Sequence, residues 1–117
     1  MNILITDECE RWIDTLSTNE IHDVIRVVDM LEIKGVNLGF PYSSSIHQAS
    51  FALRELRIQS SGHALRVFYA FDPRRDVVLL MGGRKGGQGD KRFYTTMILE
   101  CTKLWLAYLN EQGLVEP

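Results

Sequence analysis

The sequence has 117 residues, of which 45% are hydrophobic and 24% are charged, and its formal net charge is −2. This length corresponds to a single domain spanning residues 1–117, and the composition excludes an intrinsically disordered chain. The slightly acidic average argues against a strongly basic nucleic-acid-binding domain, although an average does not show how the charges are distributed.

The cysteines and the N-terminus indicate where the protein works. Cys9 and Cys101 are far apart and form no CxxC pair, so we expect neither a metal site nor a disulfide framework. The N-terminus has no basic stretch and reaches Asp7 and Glu8 too early for a signal peptide, and no apolar run is long enough for a membrane span. We therefore expect a cytoplasmic protein without a membrane segment, metal or cofactor.

The N-terminal part of the chain predicts a short strand followed by two helices. Residues 2–6 are an apolar run typical of an edge or buried strand. Residues 7–34 show helical periodicity in two parts, and Gly35 supplies a C-terminal stop. Each helix begins with the spacing of a capping box: Asp7 with Glu10, and Ser17 with Glu20. Residues 36–50 have no period and include Gly, Pro and three consecutive serines, so they predict a loop.

The middle and end of the chain predict an antiparallel meander and a final helix. The three strands occupy residues 53–59, 65–72 and 76–82. Residues 82–89 contain five glycines in eight positions, which predicts a mobile loop. Asp90 is the expected cap of the last helix, which ends before Gly113. This order predicts an α+β domain: a small antiparallel sheet with an N-terminal helical pair and a C-terminal helix on one face.

The charges are distributed very unevenly along the chain. The stretch from Arg54 to Arg92 holds nine basic and four acidic residues, a net charge of +5, whereas the remainder has a net charge of −7. The basic residues are Arg54, Arg57, Arg66, Arg74, Arg75, Arg84, Lys85, Lys91 and Arg92. Such asymmetry indicates a polyanionic ligand on the sheet. The alternative is that exposed strands and turns are simply charged.

Strand parity places two arginines close together. Arg57 projects away from the apolar residues of its strand, and Arg66 follows on the next strand after the turn at residues 60–62. If that turn sets the register, the two arginines are neighbours across the ladder. They would repel each other unless an anion lay between them, and a guanidinium binds phosphate bidentately. The alternative is that each arginine pairs with an acid such as Glu55.

Common catalytic motifs are absent from the sequence. It has no Ser-His-Asp spacing, no HExxH and no Walker loop, and its three histidines are scattered. The GGRKGG segment at residues 82–87 lacks the GxxxxGK[ST] pattern and follows an antiparallel strand, so it is not a Walker loop. It remains of interest as a flexible segment with two cations that leads to Lys91 and Arg92.

One long segment of the chain is distinctive: ELRIQSSGHALRVFYAFDPRRDVVLLMGGRKGG, continued by DKRFYTTMI. This segment resembles the RelE/ParE superfamily of type II toxins, in particular its phage-derived HigB-like branch. The resemblance covers nearly the whole chain and agrees with the predicted element order. It implies a ribosome-dependent endoribonuclease that cuts mRNA and is neutralised by a cognate helix-turn-helix antitoxin.

The resemblance also implies the roles of individual residues. The catalytic set carried over is Arg57, Arg66, Lys85 and Tyr94, with Arg84 an equally placed match for Lys85. Further RNA contacts are expected from Arg54, His63, Arg84, Lys91 and Arg92. RNA supplies its own nucleophile, the 2′-OH. The two catalytic arginines would stabilise the phosphoryl charge, and the tyrosine would stack on a base or orient the 2′-OH. Lys85 or Lys91 could act as a base only if neighbouring cations depress its pKa, and His63 is a candidate proton carrier.

Two other functions fit the same family. One is a ParE-like toxin that poisons DNA gyrase without nuclease chemistry, and the other is a diverged domain that only binds an antitoxin. In each case the basic sheet would attract an acidic antitoxin segment. The net charge of −2 departs from the strongly basic character of ribosome-dependent toxins. The sequence leaves the oligomeric state open.

Overall fold

A computed structural model describes residues 1–87 and 89–115 and confirms the α+β class. In these residues the chain forms five strands and three α-helices. The strands are β1 (Ile3–Ile5), β2 (Ser43–Ser45), β3 (Arg54–Ser60), β4 (His63–Phe71) and β5 (Val77–Lys85). The helices are α1 (Asp7–Ile13), α2 (Thr18–Lys34) and α3 (Asp90–Glu111), with a 3-10 turn at Gly35–Asn37. In this part of the chain no helix is long and apolar enough to cross a membrane.

The five strands form one sheet in the order β1-β5-β4-β3-β2. The predicted meander of β3, β4 and β5 is confirmed, since each pair is antiparallel. The sheet as a whole is mixed, because β1 lies parallel to β5. Strands β2 to β5 alternate in direction, so β5 runs opposite to β2. Strand β1, which is parallel to β5, therefore also runs opposite to β2, the strand that the chain enters after the two helices.

The helix ends follow local side-chain chemistry. The Ser17–Glu20 capping box at the start of α2 is confirmed: the Glu20 N–H donates to Ser17 Oγ at 3.2 Å, and the Ser17 N–H donates to the carboxylate at 2.9 Å. Gly35 ends this helix with φ 55°. The cap predicted at Asp7 is wrong by one residue. Thr6 caps α1 instead, because its hydroxyl accepts the Cys9 N–H at 3.0 Å.

The helices cover both faces of the sheet, which corrects the expected one-sided arrangement. Helices α1 and α2 pack on one face, here called the α1–α2 face, with Leu56, Val67 and Leu79. Helix α3 packs on the other, the α3 face, with Phe68 and Leu80. Hydrophobic periodicity shows which side of a helix is buried but not which sheet face receives it.

Two segments predicted as loops belong to the sheet. Ser43–Ser45 form the edge strand β2, which pairs with Arg54–Leu56. Strand β5 continues through Gly82–Lys85 rather than ending at the glycines. The first two glycines admit the helices: a Cβ on Gly82 would lie 2.1 Å from the Trp12 ring, and one on Gly83 would lie 2.9 Å from Phe93. Gln88, in the remainder of the predicted loop, lies outside the described residues.

The start of α3 and the end of β5 are linked. Asp90 is the first residue of α3 rather than its cap, and Gly89 occupies the cap position without a side-chain bond. The Asp90 carboxylate lies 3.3 Å from Lys85 Nζ instead.

A β-bulge in β5 sets the direction of its last side chains. Phe68 pairs with Met81 and Tyr69 pairs with Leu79, so Leu80 is the extra residue. One extra residue reverses the alternation of side chains along the rest of a strand. As a result Lys85 reaches the α3 face and Arg84 reaches the α1–α2 face.

Candidate functional site

Arg57 and Arg66 are direct partners across β3 and β4, as the turn predicted. Both project to the α3 face, where they share one carboxylate. Arg57 Nη1 lies 3.3 Å from Glu55 Oε2, and Arg66 Nε lies 3.4 Å from Glu55 Oε1. The alternative in which the arginines pair with Glu55 is therefore what the structure shows. The anion that separates the two guanidiniums is a residue of the protein itself.

Tyr94 and Ser44 complete this group, which we call the Glu55 cluster: Ser44, Glu55, Arg57, Arg66 and Tyr94. Tyr94 donates its hydroxyl to Glu55 Oε1 at 2.6 Å, and Ser44 donates to Oε2 at 2.7 Å. Burial, followed by the hydrogen bond to Glu55, raises the pKa of Tyr94 above its usual value, against a lowering by Arg66. Tyr94 is therefore a neutral hydroxyl donor at physiological pH.

Arg66 is the buried cation of the cluster. It is 5% exposed, and its Nη1 donates to the Leu65 carbonyl at 3.0 Å. Among the described residues its Nε has no hydrogen-bond partner, even though Glu55 lies within ion-pair distance. A guanidinium has five N–H donors and does not lose its charge in proteins. Two guanidiniums thus face one carboxylate, which leaves a net positive charge for a ligand.

Lys85 borders the Glu55 cluster. Its Nζ lies 5.9 Å from the centroid of the Tyr94 ring and 3.3 Å from the Asp90 carboxylate. Lys85 was expected to act as a base only if cations lay beside it, but its ion-pair partner is the acid Asp90. A protonated lysine at this position adds positive charge to the α3 face.

Two of the expected RNA contacts lie on the opposite face of the sheet. Arg54 donates to Ser43 Oγ at 3.0 Å and to Ser45 Oγ at 2.6 Å, and so ties β2 to β3. Arg84 donates to the Glu20 carboxylate at 2.8 Å. The backbone hydrogen bond from Ser17 lowers the pKa of Glu20, and Arg84 lowers it further. The structure does not bring these two arginines together with the Glu55 cluster.

The other expected RNA contacts lie at the surface. His63 is exposed at the start of β4, beside the turn from β3. Lys91 and Arg92 are exposed on the first turn of α3, next to the Asp90 that pairs with Lys85. Lys91 and Arg92 therefore lie near the Lys85 border of the α3 face, whereas His63, by alternation from Arg66, is directed to the α1–α2 face. None of the three belongs to the Glu55 cluster.

An edge cleft of about 290 Å³ opens beside β3. Its lining residues are Arg26, Val27, Pro41, Tyr42, Arg57, Ile58, Gln59 and Arg66. The sequence did not indicate Arg26, which lies on α2 in the acidic part of the chain. Its contribution depends on where α2 crosses the sheet edge. The sequence analysis considered Glu55 only as an ion-pair partner of the arginines. Glu55 lies two residues before Arg57 and therefore on the same face of β3, and this spacing is the signal in the sequence that identifies it as the centre of the Glu55 cluster.

The cysteines take no part in the site. Cys9 and Cys101 are both fully buried, and burial raises the pKa of each thiol to about 12. Thiols in this environment are unreactive because the thiolate is the nucleophile. Within residues 1–87 and 89–115 there is no group of three or more His, Cys, Asp or Glu side chains that could hold a metal ion.

Comparison with known proteins places the chain in a family. The model of the phage-derived Gp49-like protein family matches residues 11–105. The chain belongs to this family. A relative from Mycobacterium tuberculosis, named as the candidate toxin HigB3, is 34% identical over 117 residues, covering 97% of this chain and 98% of the relative. A second, named as the candidate toxin HigB2, is 30% identical over 108 residues. This match covers 91% of the chain and 53% of HigB2. The resemblance to HigB-like toxins is confirmed.

Proposed function

We propose that this Gp49-like protein is the toxin of a type II toxin–antitoxin pair and cleaves mRNA on the ribosome. The observation that supports the cleavage activity best is the Glu55 cluster, in which two arginines with excess positive charge lie beside a neutral tyrosine hydroxyl. Membership of a family with relatives named as HigB toxins supports the biological role. We place this activity in the cytoplasm, where mRNA and ribosomes are found.

The residues of the cluster suit cleavage by the 2′-OH of the RNA. Attack of this oxygen on phosphorus releases its proton to water and builds negative charge on the phosphoryl oxygens. The bond to the 5′ oxygen then breaks, that oxygen takes up a proton from water, and the products are a 2′,3′-cyclic phosphate and a free 5′-OH. Arg57 and Arg66 would stabilise that charge, a contribution of up to about 4 kcal/mol for one well-placed donor. Tyr94 would orient the 2′-OH, and Lys85 would add positive charge near the leaving oxygen. No metal ion is needed for these steps, since the nucleophile belongs to the substrate.

Substitution of Arg57 tests this activity most directly. Arg57→Ala should lower cleavage of a reporter mRNA by about 100-fold, because a donor to the developing phosphoryl charge is lost. Cleavage would be followed by primer extension in a translation extract, with and without ribosomes. Arg74→Ala is the matched control, since this arginine also pairs with a buried carboxylate, that of Asp72, but lies at the far turn.

Arg66 requires two variants because it is buried. Arg66→Ala should abolish cleavage and growth inhibition, and Arg66→Lys keeps a charge beside Glu55 while losing the planar donor geometry. Circular dichroism would show that each variant folds. Full toxicity of folded Arg66→Ala would refute the assignment. Replication arrest and DNA damage in place of cut transcripts would favour the gyrase-poisoning alternative.

The same charge distribution supports a proposal for the antitoxin partner. We propose a helix-turn-helix antitoxin with an acidic segment that covers the Glu55 cluster and competes with RNA. Such a complex should protect mRNA from cleavage and should weaken as the salt concentration rises. Protection that is independent of salt would contradict the electrostatic basis of this interaction.

A further inference from the structure

The edge cleft lies next to the Glu55 cluster and is built differently from it. Strand β2 pairs with β3 only at residues 54–56, so it stops short of Arg57, and the cleft opens there. Among the described residues that line the cleft there are three arginines and no acid. A cleft with this lining attracts anions and repels cations.

The three arginines of the cleft are graded in exposure. Their side chains are 6% exposed at Arg66, 31% at Arg57 and 68% at Arg26. Arg26 has an ion-pair contact of 3.4 Å with Asp23, which leaves other N–H donors available. The positive charge therefore continues from the buried Glu55 cluster to the protein surface. A chain of phosphates with one end at Arg66 would meet cations along this path.

Two exposed aromatic rings lie beside the arginines. Phe40 is 76% exposed, and the guanidinium carbon of Arg57 lies 5.2 Å from its ring centroid. Tyr42 is 42% exposed and lines the cleft. The Tyr42 carbonyl accepts the Arg57 N–H at 2.8 Å, which fixes this loop to β3. Phe40 adds little to the core because most of its surface is in water. Exposed aromatic rings beside arginines are typical of surfaces that stack unpaired bases.

We propose that the edge cleft is a nucleotide subsite for the mRNA strand, next to the bond that is cut. Arg26 and Arg57 bind a backbone phosphate, and Phe40 and Tyr42 provide the stacking surface for the base. This proposal rests on the proposed function, since it assumes an RNA substrate at the Glu55 cluster. It goes further by naming a site that selects which nucleotide flanks the cleavage position.

Two variants and two matched controls test this subsite in the full-length protein. Phe40→Ala removes the stacking ring, and Ile33→Ala is its control because Ile33 is 83% exposed and lies away from the cleft. Arg26→Gln removes the outer cation. Arg11→Gln is its control, since Arg11 is 70% exposed and is also in an i,i+3 pair, with Glu8.

The measurements are the rate and the positions of mRNA cleavage by primer extension on ribosomes. Phe40→Ala should slow cleavage by about five-fold or more and redistribute the cut positions, because base stacking is lost. Phe40→Trp should restore both rate and pattern. Arg26→Gln should slow cleavage by about ten-fold, as expected for a charge-assisted hydrogen bond to phosphate. The controls should match the wild type, and all five single variants should melt at the wild-type temperature.

The possible failures are distinguishable. If the wild type cuts mRNA and Phe40→Ala and Arg26→Gln behave as their controls, the subsite is refuted and the proposed function stands. A uniform loss of rate with unchanged cut positions in Phe40→Ala would also refute it, because that result indicates docking to the ribosome rather than contact with a base of the mRNA. If the wild type cuts no RNA, the proposed function fails and the subsite fails with it.

Discussion

Two buried carboxylates on the sheet have the same kinds of partner. Glu55 on β3 accepts the hydroxyl of Tyr94 at 2.6 Å, and Asp72 after β4 accepts the hydroxyl of Tyr108 at 2.7 Å. Both tyrosines belong to α3, one near its start and one near its end. Each carboxylate also pairs with at least one arginine: Arg57 and Arg66 at Glu55, and Arg74 at Asp72.

The two sites differ in whether the carboxylate accepts hydrogen bonds from backbone N–H groups or from side chains. Asp72 Oδ1 accepts the N–H groups of Arg74 at 2.8 Å and Asp76 at 2.9 Å, so it closes the turn between β4 and β5. The Arg74 side chain is half exposed and also donates to Gln112 at 3.0 Å. Glu55 instead accepts from side chains and faces a buried arginine. A carboxylate bonded to the backbone fixes a turn, whereas one surrounded by side chains can organise a charged ligand site.

Neutralising each carboxylate should give the largest difference between the sites. Glu55→Gln should lower the free energy of unfolding by about 3 kcal/mol or more, because the buried Arg66 charge loses its counterion. Asp72→Asn should cost about 1 kcal/mol, because its amide oxygen can still accept both turn N–H groups. Urea denaturation of the two variants measures this difference. Equal losses would show that the two sites are energetically alike.

Removing each tyrosine hydroxyl should separate function from stability. Tyr94→Phe should slow mRNA cleavage by about ten-fold, since a hydrogen bond to a charged group at the site is lost. Tyr108→Phe should leave cleavage within about two-fold of the wild type. Each of the two substitutions should lower the free energy of unfolding by about 1 kcal/mol. Primer extension and urea denaturation on both variants provide the comparison. Loss of activity in Tyr108→Phe would imply that the Asp72 end of α3 also positions the site.

The smallest expected effect is the response to alkaline pH. Burial and a hydrogen bond to a carboxylate raise the pKa of both tyrosines above the usual value of 10.0. The carboxylate is that of Glu55 for Tyr94 and that of Asp72 for Tyr108. The folded protein then retains these protons when the unfolded chain loses them, so stability is fully present below pH 10 and falls as the pH rises above it. Unfolding free energies between pH 8 and 11 should fall less steeply in each Phe variant than in the wild type. An unchanged slope in both variants would exclude the tyrosines as the cause.

The sequence was sufficient where local rules determine the structure. The Ser17–Glu20 capping box and the Arg57–Arg66 pairing each depend on residues within a few positions or on one tight turn. The choice of Lys85 over Arg84 as the neighbour of Tyr94 depends on something less local. It requires the bulge at Leu80, and no glycine or proline marks that position in the sequence.

The elements that were missed depend on contacts distant in the chain. Ser43–Ser45 have low intrinsic strand preference and are extended because β3 offers an unpaired edge. Gly82 was predicted to lie in a loop, but it lies in β5, where Trp12 of α1 approaches the strand closely. Arg26 joins the edge cleft only because of where α2 crosses the sheet. In all three cases a partner from another element decides the outcome.

The bulge at Leu80 decides which of two adjacent cations faces the Glu55 cluster. If β5 paired without a bulge and kept its partners up to Leu79, every later residue of the strand would shift by one position along β4. Arg84 would then face Tyr94 and Lys85 would face α2, although the sequence and the charge of the chain would be unchanged. Deletion of Leu80 would have no such effect, because Met81 would follow Leu79 in regular alternation and the later side chains would keep their present directions. The pairing register of β5 is therefore a determinant of chemistry that a count of charged residues does not record.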